Sequence, residues 1–159
     1  MRIISHRGNT DGPNSVMENS PQAIDQVLSN KFECEVDVWY QAGKGIFLGH
    51  DAGEYLIDIN WILERSSKLW LHCKNFEALS YFLMLEKDLN LFWHQDDDHV
   101  LTSKGYIWSF PGKKVGNKAI GVLPELWDES QMIFLESCLG ICTDYPRRFD
   151  LELNGNRLR

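Results

Sequence analysis

The sequence predicts an α/β protein, an abbreviated or incomplete TIM-type β/α barrel with mostly parallel strands. Short apolar, β-branched runs alternate with helical patterns along the chain, as expected of parallel strands joined by crossover helices. Nearly every strand run ends in a residue able to do chemistry, and in parallel β/α proteins the site lies at those strand ends. With 159 residues, the chain is well short of the roughly 250 of a complete eightfold barrel. Between Trp93 and Leu123 there is room for strands but little for helices, so loops are expected to replace some crossovers. An open doubly wound sheet is the fold-level alternative; this chain lacks the glycine-rich first turn of its nucleotide-binding form.

Residues 2–5 read as the first strand. Pro21–Ser29 reads as a helix, with Ser20 as N-cap, Pro21 at the first helical position and an apolar stripe of Ala23, Ile24, Val27 and Leu28. Residues 32–40 alternate, with Glu35, Asp37 and Trp39 on one face and Cys34, Val36 and Val38 on the other. After the turn at Gly43 and Gly45, residues 46–48 read as a return strand. A helix is expected over 57–65, a strand over Leu69–Cys73, and a helix over 76–87 that buries Leu79, Phe82, Leu83 and Leu85. Residues 91–93, 106–109, 119–123 and 139–143 read as further strands, and 127–137 as helical. No repeat, low-complexity tract or linker divides the chain, so residues 1–159 are read as one domain.

Hydrophobic residues make up 43% of the chain and aromatic residues 12%, ample material for a core. The net charge is -7. The only basic clusters, Lys113-Lys114 and Arg147-Arg148, are too small to neutralise many phosphates, which argues against nucleic acid as a partner. No apolar run approaches the roughly 18 residues of a membrane span. Residues 1–8 lack the apolar core of a signal peptide. Cys34, Cys73, Cys138 and Cys142 form no CxxC pair, and three of them fall inside strands. Reduced, structural thiols in a cytoplasmic protein are expected.

The strand ends carry His6-Arg7, then Glu35 and Asp37, then His50-Asp51, then His72 and Lys74, then His94, and finally Asp144. Together they describe a convergent polar site. Glu35 and Asp37, at i and i+2, point to the same face of their strand. Two buried like charges need a cationic partner, either a hard divalent ion such as Mg²⁺ or Ca²⁺ or salt bridges to Arg7 and Lys74. Substituting both is expected to leave the fold intact, since it removes charge repulsion. His6 and His50 are the candidates for acid and base work, because imidazole titrates near neutral pH. Arg7 can fork two hydrogen bonds to phosphate oxygens, or pair with Glu35 or Glu18. Trp93 and Trp108 either wall a pocket or belong to the core. Asp96-Asp97-Asp98 reads as a solvated loop.

Ser5-His6-Arg7-Gly8, Glu18-Asn19-Ser20, Glu35-x-Asp37-Val38 and Leu48-Gly49-His50-Asp51 resemble, in order and spacing, the signature of the glycerophosphodiester phosphodiesterases. Their superfamily includes phosphatidylinositol-specific phospholipases C. The block covers residues 3–51; Lys74 and Thr143-Asp144-Tyr145-Pro146 extend it more loosely. The resemblance implies His6 and His50 as the catalytic pair, a divalent metal at the acidic pair, a phosphate contact from Lys74, and a small-molecule phosphodiester as substrate. It places Glu18 either in the metal shell or in the organisation of its loop. The family has a carboxylate where this chain has His72, in His72-Cys73-Lys74. An imidazole there suits Zn²⁺ or Mn²⁺ better than Mg²⁺, unless His72 is instead a hydrogen-bonding site residue. The segment around Trp93, His94 and Trp108 resembles a small-phosphodiesterase subgroup associated with bacterial surface-polysaccharide gene clusters, which implies a sugar phosphate. The expected activity is metal-assisted cleavage, hydrolytic or cyclising, of a glycerophosphodiester-like or sugar or polyol phosphodiester. One rival is a non-catalytic phospho-glycan binding protein of a surface-polysaccharide pathway, favoured by the short chain and His72 and disfavoured by the retained histidine pair. A metal-independent lyase is the other, disfavoured by retention of Glu35 and Asp37.

Overall fold

The computed structural model describes residues 1–155. In chain order the elements are β1 (Arg2–His6), α1 (Pro21–Ser29), β2 (Glu33–Gln41), β3 (Gly45–Leu48), β4 (Tyr55–Ile57), α2 (Ile59–Arg65), β5 (Leu69–Cys73), α3 (Phe76–Met84), β6 (Asn90–Phe92), β7 (His99–Leu101), β8 (Ile107–Ser109), β9 (Ala119–Val122), α4 (Glu129–Met132), β10 (Gly140–Thr143) and α5 (Pro146–Asn154).

One curled sheet organises them, and it is mostly parallel, as expected of an incomplete barrel. Strand β1 lies between β10 and β2, parallel to both. On one side follow β9, β8 and the antiparallel β7; on the other, β5 and β6 continue in parallel. The nine-residue β2 reaches beyond β1, and along the same edge it pairs antiparallel with β3. The carbonyls of Glu35 and Asp37 mark the change, accepting from Arg7 N–H (3.1 Å) and Gly49 N–H (3.2 Å) respectively. The sheet curls into a half-barrel until Ser103, after β7, reaches β6: its N–H donates to the Leu91 carbonyl at 2.8 Å and its hydroxyl to that of Leu89 at 2.9 Å.

The side-chain alternation of the strands splits the core in two. Inside the curl, Ile4, Trp70, Phe92, Trp108, Ile120, Val122 and Cys142 pack together. Where a complete barrel has further strands, aromatic rings span the gap: Trp70 lies 5.7 Å from Trp108, and Phe92 4.6 Å from Trp108. Outside, the opposite faces of β2 and β5 meet α1 and α3, and α5 covers β1. Ser20, the expected N-cap, accepts from Ala23 N–H, and Asp58 and Asn75 cap α2 and α3 in the same way, accepting from Asn60 N–H and Ala78 N–H. All four cysteines are buried and unpaired. Among the described residues no helix is long and apolar enough to cross a membrane.

Several elements depart from expectation. The helix read over 57–65 begins only at Ile59, because Tyr55–Ile57 pairs with β3 and Asp58 caps the helix. The helix read over 76–87 ends at Met84, with Glu86 in the left-handed region, and Leu83 is exposed. The stretch 127–137 is not one helix but the four-residue α4 followed by a 3₁₀ turn at Leu135–Ser137. It buries only Trp127 and Leu135, too little apolar contact to support three continuous turns. Strands β4 and β7 and helix α5 were not foreseen.

Trp70 is 1% exposed and donates its indole N–H to Glu33 at 2.7 Å, so it seals the interior below the site. Trp70→Ala is expected to cost about 3–5 kcal/mol, read as a fall in the urea midpoint at constant slope. A loss under about 1 kcal/mol would mean that the interior does not depend on this ring.

Candidate functional site

A cavity of about 480 Å³ opens at the carboxyl ends of the strands, and His6, Arg7, Glu35, His50, His72, Lys74 and His94 all line it. Its opposite wall is apolar, formed by Trp108, Phe110, Pro111, Val122, Leu123 and Leu126. The convergence follows from strand register: His6 lies opposite Glu35, and Asp37 opposite His72, so side chains scattered in sequence project inward at neighbouring heights.

Glu35, Asp37 and His72 form the inner cluster, with one ligating atom of each within 4.8 Å of the others. Asp37 is fully buried. Its Oδ2 accepts from Asn19 Nδ2 at 2.9 Å and lies 3.1 Å from Arg7 Nε. Its Oδ1 lies 2.9 Å from His72 Nδ1 and 3.4 Å from Lys74 Nζ but receives no aligned hydrogen bond. His72 Nε2 is 3.2 Å from the carbonyl oxygen of His94. A carbonyl can only accept, so this nitrogen carries a proton and Nδ1 is the one turned to the carboxylates. A hydrogen bond from the far ring nitrogen to a backbone carbonyl is how proteins aim a ligating imidazole. An unsatisfied buried carboxylate oxygen, a second carboxylate and an aimed imidazole nitrogen fit a divalent cation, so the cluster can hold one.

The outer half of the site is a hydrogen-bonded chain. His6 Nδ1 donates to Asp144 Oδ1 at 2.8 Å, which leaves Nε2 for the cavity. Asn9 Nδ2 donates to the same oxygen at 2.8 Å and to Glu18 Oε1 at 3.0 Å. Glu18 Oε2 accepts from Arg7 Nη1 at 3.3 Å. Arg7 and Asn19, which both hold Asp37, have φ of 53° and 60°, a strained region for such residues. The strain is offset by what the two residues give Asp37, a counter-charge from Arg7 and two hydrogen bonds with Asn19.

Most predicted site residues therefore meet, with some corrections. Glu18 is not part of the metal-capable cluster; it holds Arg7 and Asn9, which is the loop-organising alternative. Asp144 stands behind His6 rather than lining the pocket, and Trp93 does not line it, because strand alternation turns Phe92 and His94 inward. Trp108 serves both pocket wall and core. Arg7 and Lys74 both lean on Asp37. His50 lines the cavity, but its partner is the exposed Asp51, at 2.7 Å.

Sequence reasoning missed Asn9, Asn19 as the bidentate partner of Asp37, and Glu125. Glu125 accepts from Thr143 Oγ1 (2.9 Å) and Asp144 N–H (2.8 Å). Asn19 lies inside the quoted Glu18-Asn19-Ser20 and Asn9 directly follows Ser5-His6-Arg7-Gly8, which was the available signal; nothing local marks Glu125. Comparison with protein-family models, curated proteins and solved structures gives no match, so function is argued from the site and the motifs.

The environment drives the two inner carboxyls apart. Burial, and then the charge of Asp37, raise the pKa of Glu35 despite His6, His72 and Arg7. Burial would raise Asp37 too, but His72 and the charges of Arg7 and Lys74 hold it far below the carboxylate range. For His6, burial pulls downward and is outweighed by the Asp144 hydrogen bond and the charge of Glu35, so its pKa is raised. Because Asp37 titrates below its unfolded value, it contributes stability at neutral pH that is lost only as pH falls through the lowered value. Glu35 titrates above its unfolded value, so it costs stability at neutral pH and relieves that cost as pH falls. Substituting the pair is thus not uniformly harmless, contrary to the sequence expectation. In metal-free protein at pH 7, Glu35→Gln is expected to raise Tm. Asp37→Asn is expected to cost about 3–5 kcal/mol, the usual effect of removing one partner of a buried ion pair. Thermal melts from pH 4 to 8 check both signs, and equal shifts for the two would refute the split.

Proposed function

We propose that the protein is a metal-assisted phosphodiesterase acting on a glycerophosphodiester-like or sugar or polyol phosphodiester. One observation carries the reading: His6, with Nδ1 held by Asp144, shares a single cavity with His50, Arg7, Lys74 and the Glu35–Asp37–His72 cluster. Cleaving a phosphodiester requires a proton taken from the attacking oxygen, a proton given to the departing one, and stabilisation of charge on the phosphoryl oxygens. His6 Nε2 accepts the proton of the attacking hydroxyl, from water or from a neighbouring hydroxyl of the substrate. His50 protonates the leaving alkoxide. Arg7 and Lys74 hold phosphoryl oxygens, drawing on the positive charge they lend Asp37. Glu35, Asp37 and His72 would hold the divalent ion, which when bound supplies further positive charge toward the phosphate. Mg²⁺ or Ca²⁺ suits the carboxylates, and His72 moves selectivity toward Mn²⁺ or Zn²⁺.

A second reading, a phospho-glycan binding protein without turnover, is favoured by the weak tethering of His50, whose side chain is 41% exposed and whose partner Asp51 is 92% exposed. The two readings separate kinetically. His6→Ala and His50→Ala are each expected to lower kcat on bis(4-nitrophenyl) phosphate by roughly 10²–10⁴, the contribution of a positioned acid or base. Rates like wild type in both variants would leave only the binding reading.

Metal selectivity tests the inner cluster separately. Calorimetry should find Mn²⁺ or Zn²⁺ bound more tightly than Mg²⁺, and His72→Glu should move the preference to Mg²⁺ or Ca²⁺. An unchanged metal order in that variant would remove His72 from the ligand set.

A further inference from the structure

We propose that Asn9 is a positioning residue that fastens the imidazole of His6 and the guanidinium of Arg7 into one unit through the two carboxylates it bridges. The roles of His6 and Arg7 rest on the phosphodiesterase reading; the geometry of Asn9 does not.

Asn9 is 4% exposed, and every polar group it has is engaged. Its N–H donates to the His6 carbonyl at 3.0 Å, and its own carbonyl accepts from the buried Ser5 hydroxyl at 2.6 Å. Its Oδ1 accepts from Asn14 N–H at 3.1 Å. A backbone N–H can only donate, so the amide has a single orientation, with its NH₂ toward the carboxylates. The two hydrogens of Nδ2 serve Asp144 Oδ1 and Glu18 Oε1. Asp144 in turn takes the His6 proton, and Glu18 takes Arg7 Nη1.

A neutral double donor is what the position demands. Alanine would leave two carboxylates facing each other with no donor between them, and aspartate would add a third carboxylate. Glu125 holds the backbone of Asp144 from the other side, so the carboxylate of Asp144 cannot simply retreat. The hydrogen bonds of the Asn9 side chain go to Asp144, Glu18 and Asn14, not to the side chains of His6 or Arg7, yet both are aimed through it. Losing it should therefore disturb proton placement on His6 and phosphate affinity together.

The test uses Asn9→Ala and the isosteric Asn9→Asp in the full chain. Nitrogen-15 NMR reads which ring nitrogen of His6 carries the proton, calorimetry reads the Kd of inorganic phosphate, and bis(4-nitrophenyl) phosphate reads turnover. Wild type should show neutral His6 protonated at Nδ1. Both variants should lose that single form, bind phosphate more weakly, and turn over more slowly by roughly 10–100-fold, the range for partners that orient a functional imidazole. An unchanged His6 ring signal and phosphate Kd in the variants would overturn the proposal. If wild type cleaves nothing, the enzymatic reading fails while the ring signal and phosphate affinity still decide the role of Asn9. If neither variant folds, Glu18→Gln and Asp144→Asn in the Asn9 background replace them. Non-additive effects of that pair on phosphate affinity support the bridge, and additive effects refute it.

Discussion

An ionised carboxylate with no exposure, as at Asp37, is tolerable only if the protein supplies its counter-charge and hydrogen bonds. Much of the site is an answer to that requirement. Asn19 holds the backbone N–H and Oδ2 of Asp37, Arg7 lies against Oδ2, and His72 and Lys74 lie against Oδ1. These partners come from the end of β1, from the loop before α1, and from the end of β5, so neutralising one charge registers three parts of the chain against β2. Arg7 and Asn19 accept left-handed backbone to do so. The interaction that stabilises the strand end is thus the one that concentrates cationic side chains in the cavity at the carboxyl ends of the strands.

Below this charged layer the half-barrel is closed by other means. The sheet curls only into a half-barrel, and an open edge would leave the interior wet. Trp70, Phe92 and Trp108 fill the space with rings, and Ser103 ties β7 to β6 by backbone and hydroxyl bonds. Arg2, bound to Glu33 at 2.9 and 3.0 Å, and the indole N–H of Trp70 on the same carboxylate finish the lower end. Polar groups at the top are therefore shielded from solvent on one side only. That accounts for a deeply buried Asp37 beside a half-exposed His50.

The opposite displacement of Glu35 and Asp37 has a chemical meaning beyond stability. Neighbouring carboxyls pushed apart in this way no longer behave as equals. Asp37 is the permanent anion that organises cations, and Glu35 is the group whose charge is costly until a cation arrives. His6 is tuned from both sides, by the hydrogen bond to Asp144, which Asn9 also holds, and by the charge of Glu35.

Much of this was legible in the residues. The alternation of β2 placed Glu35 and Asp37 on one face, and the polar endings of the strands named His6, Arg7, His72, Lys74 and His94 before any fold was in hand, because side-chain period and strand polarity are local properties. Strands β4 and β7 were not legible, although β6 and β8 have the same three-residue length, because β4 and β7 are antiparallel edge strands whose pairing is decided by the partner strand. Nor was the division of labour among the acids. Glu18 reads as a metal ligand or a loop organiser until Arg7 and Asn9 are found beside it. Glu125 carries no sequence signal, and Asn9 only its place directly after Ser5-His6-Arg7-Gly8, since a hydrogen bond between residues 135 or 19 positions apart exists only once the sheet has curled. The sequence by itself determined which faces are apolar and which chemistry lies at the strand ends. The tertiary structure alone decided which carboxylate is neutralised, which imidazole nitrogen is free, and which neutral amide holds them, because charge compensation depends on distance in space and not on spacing in the chain.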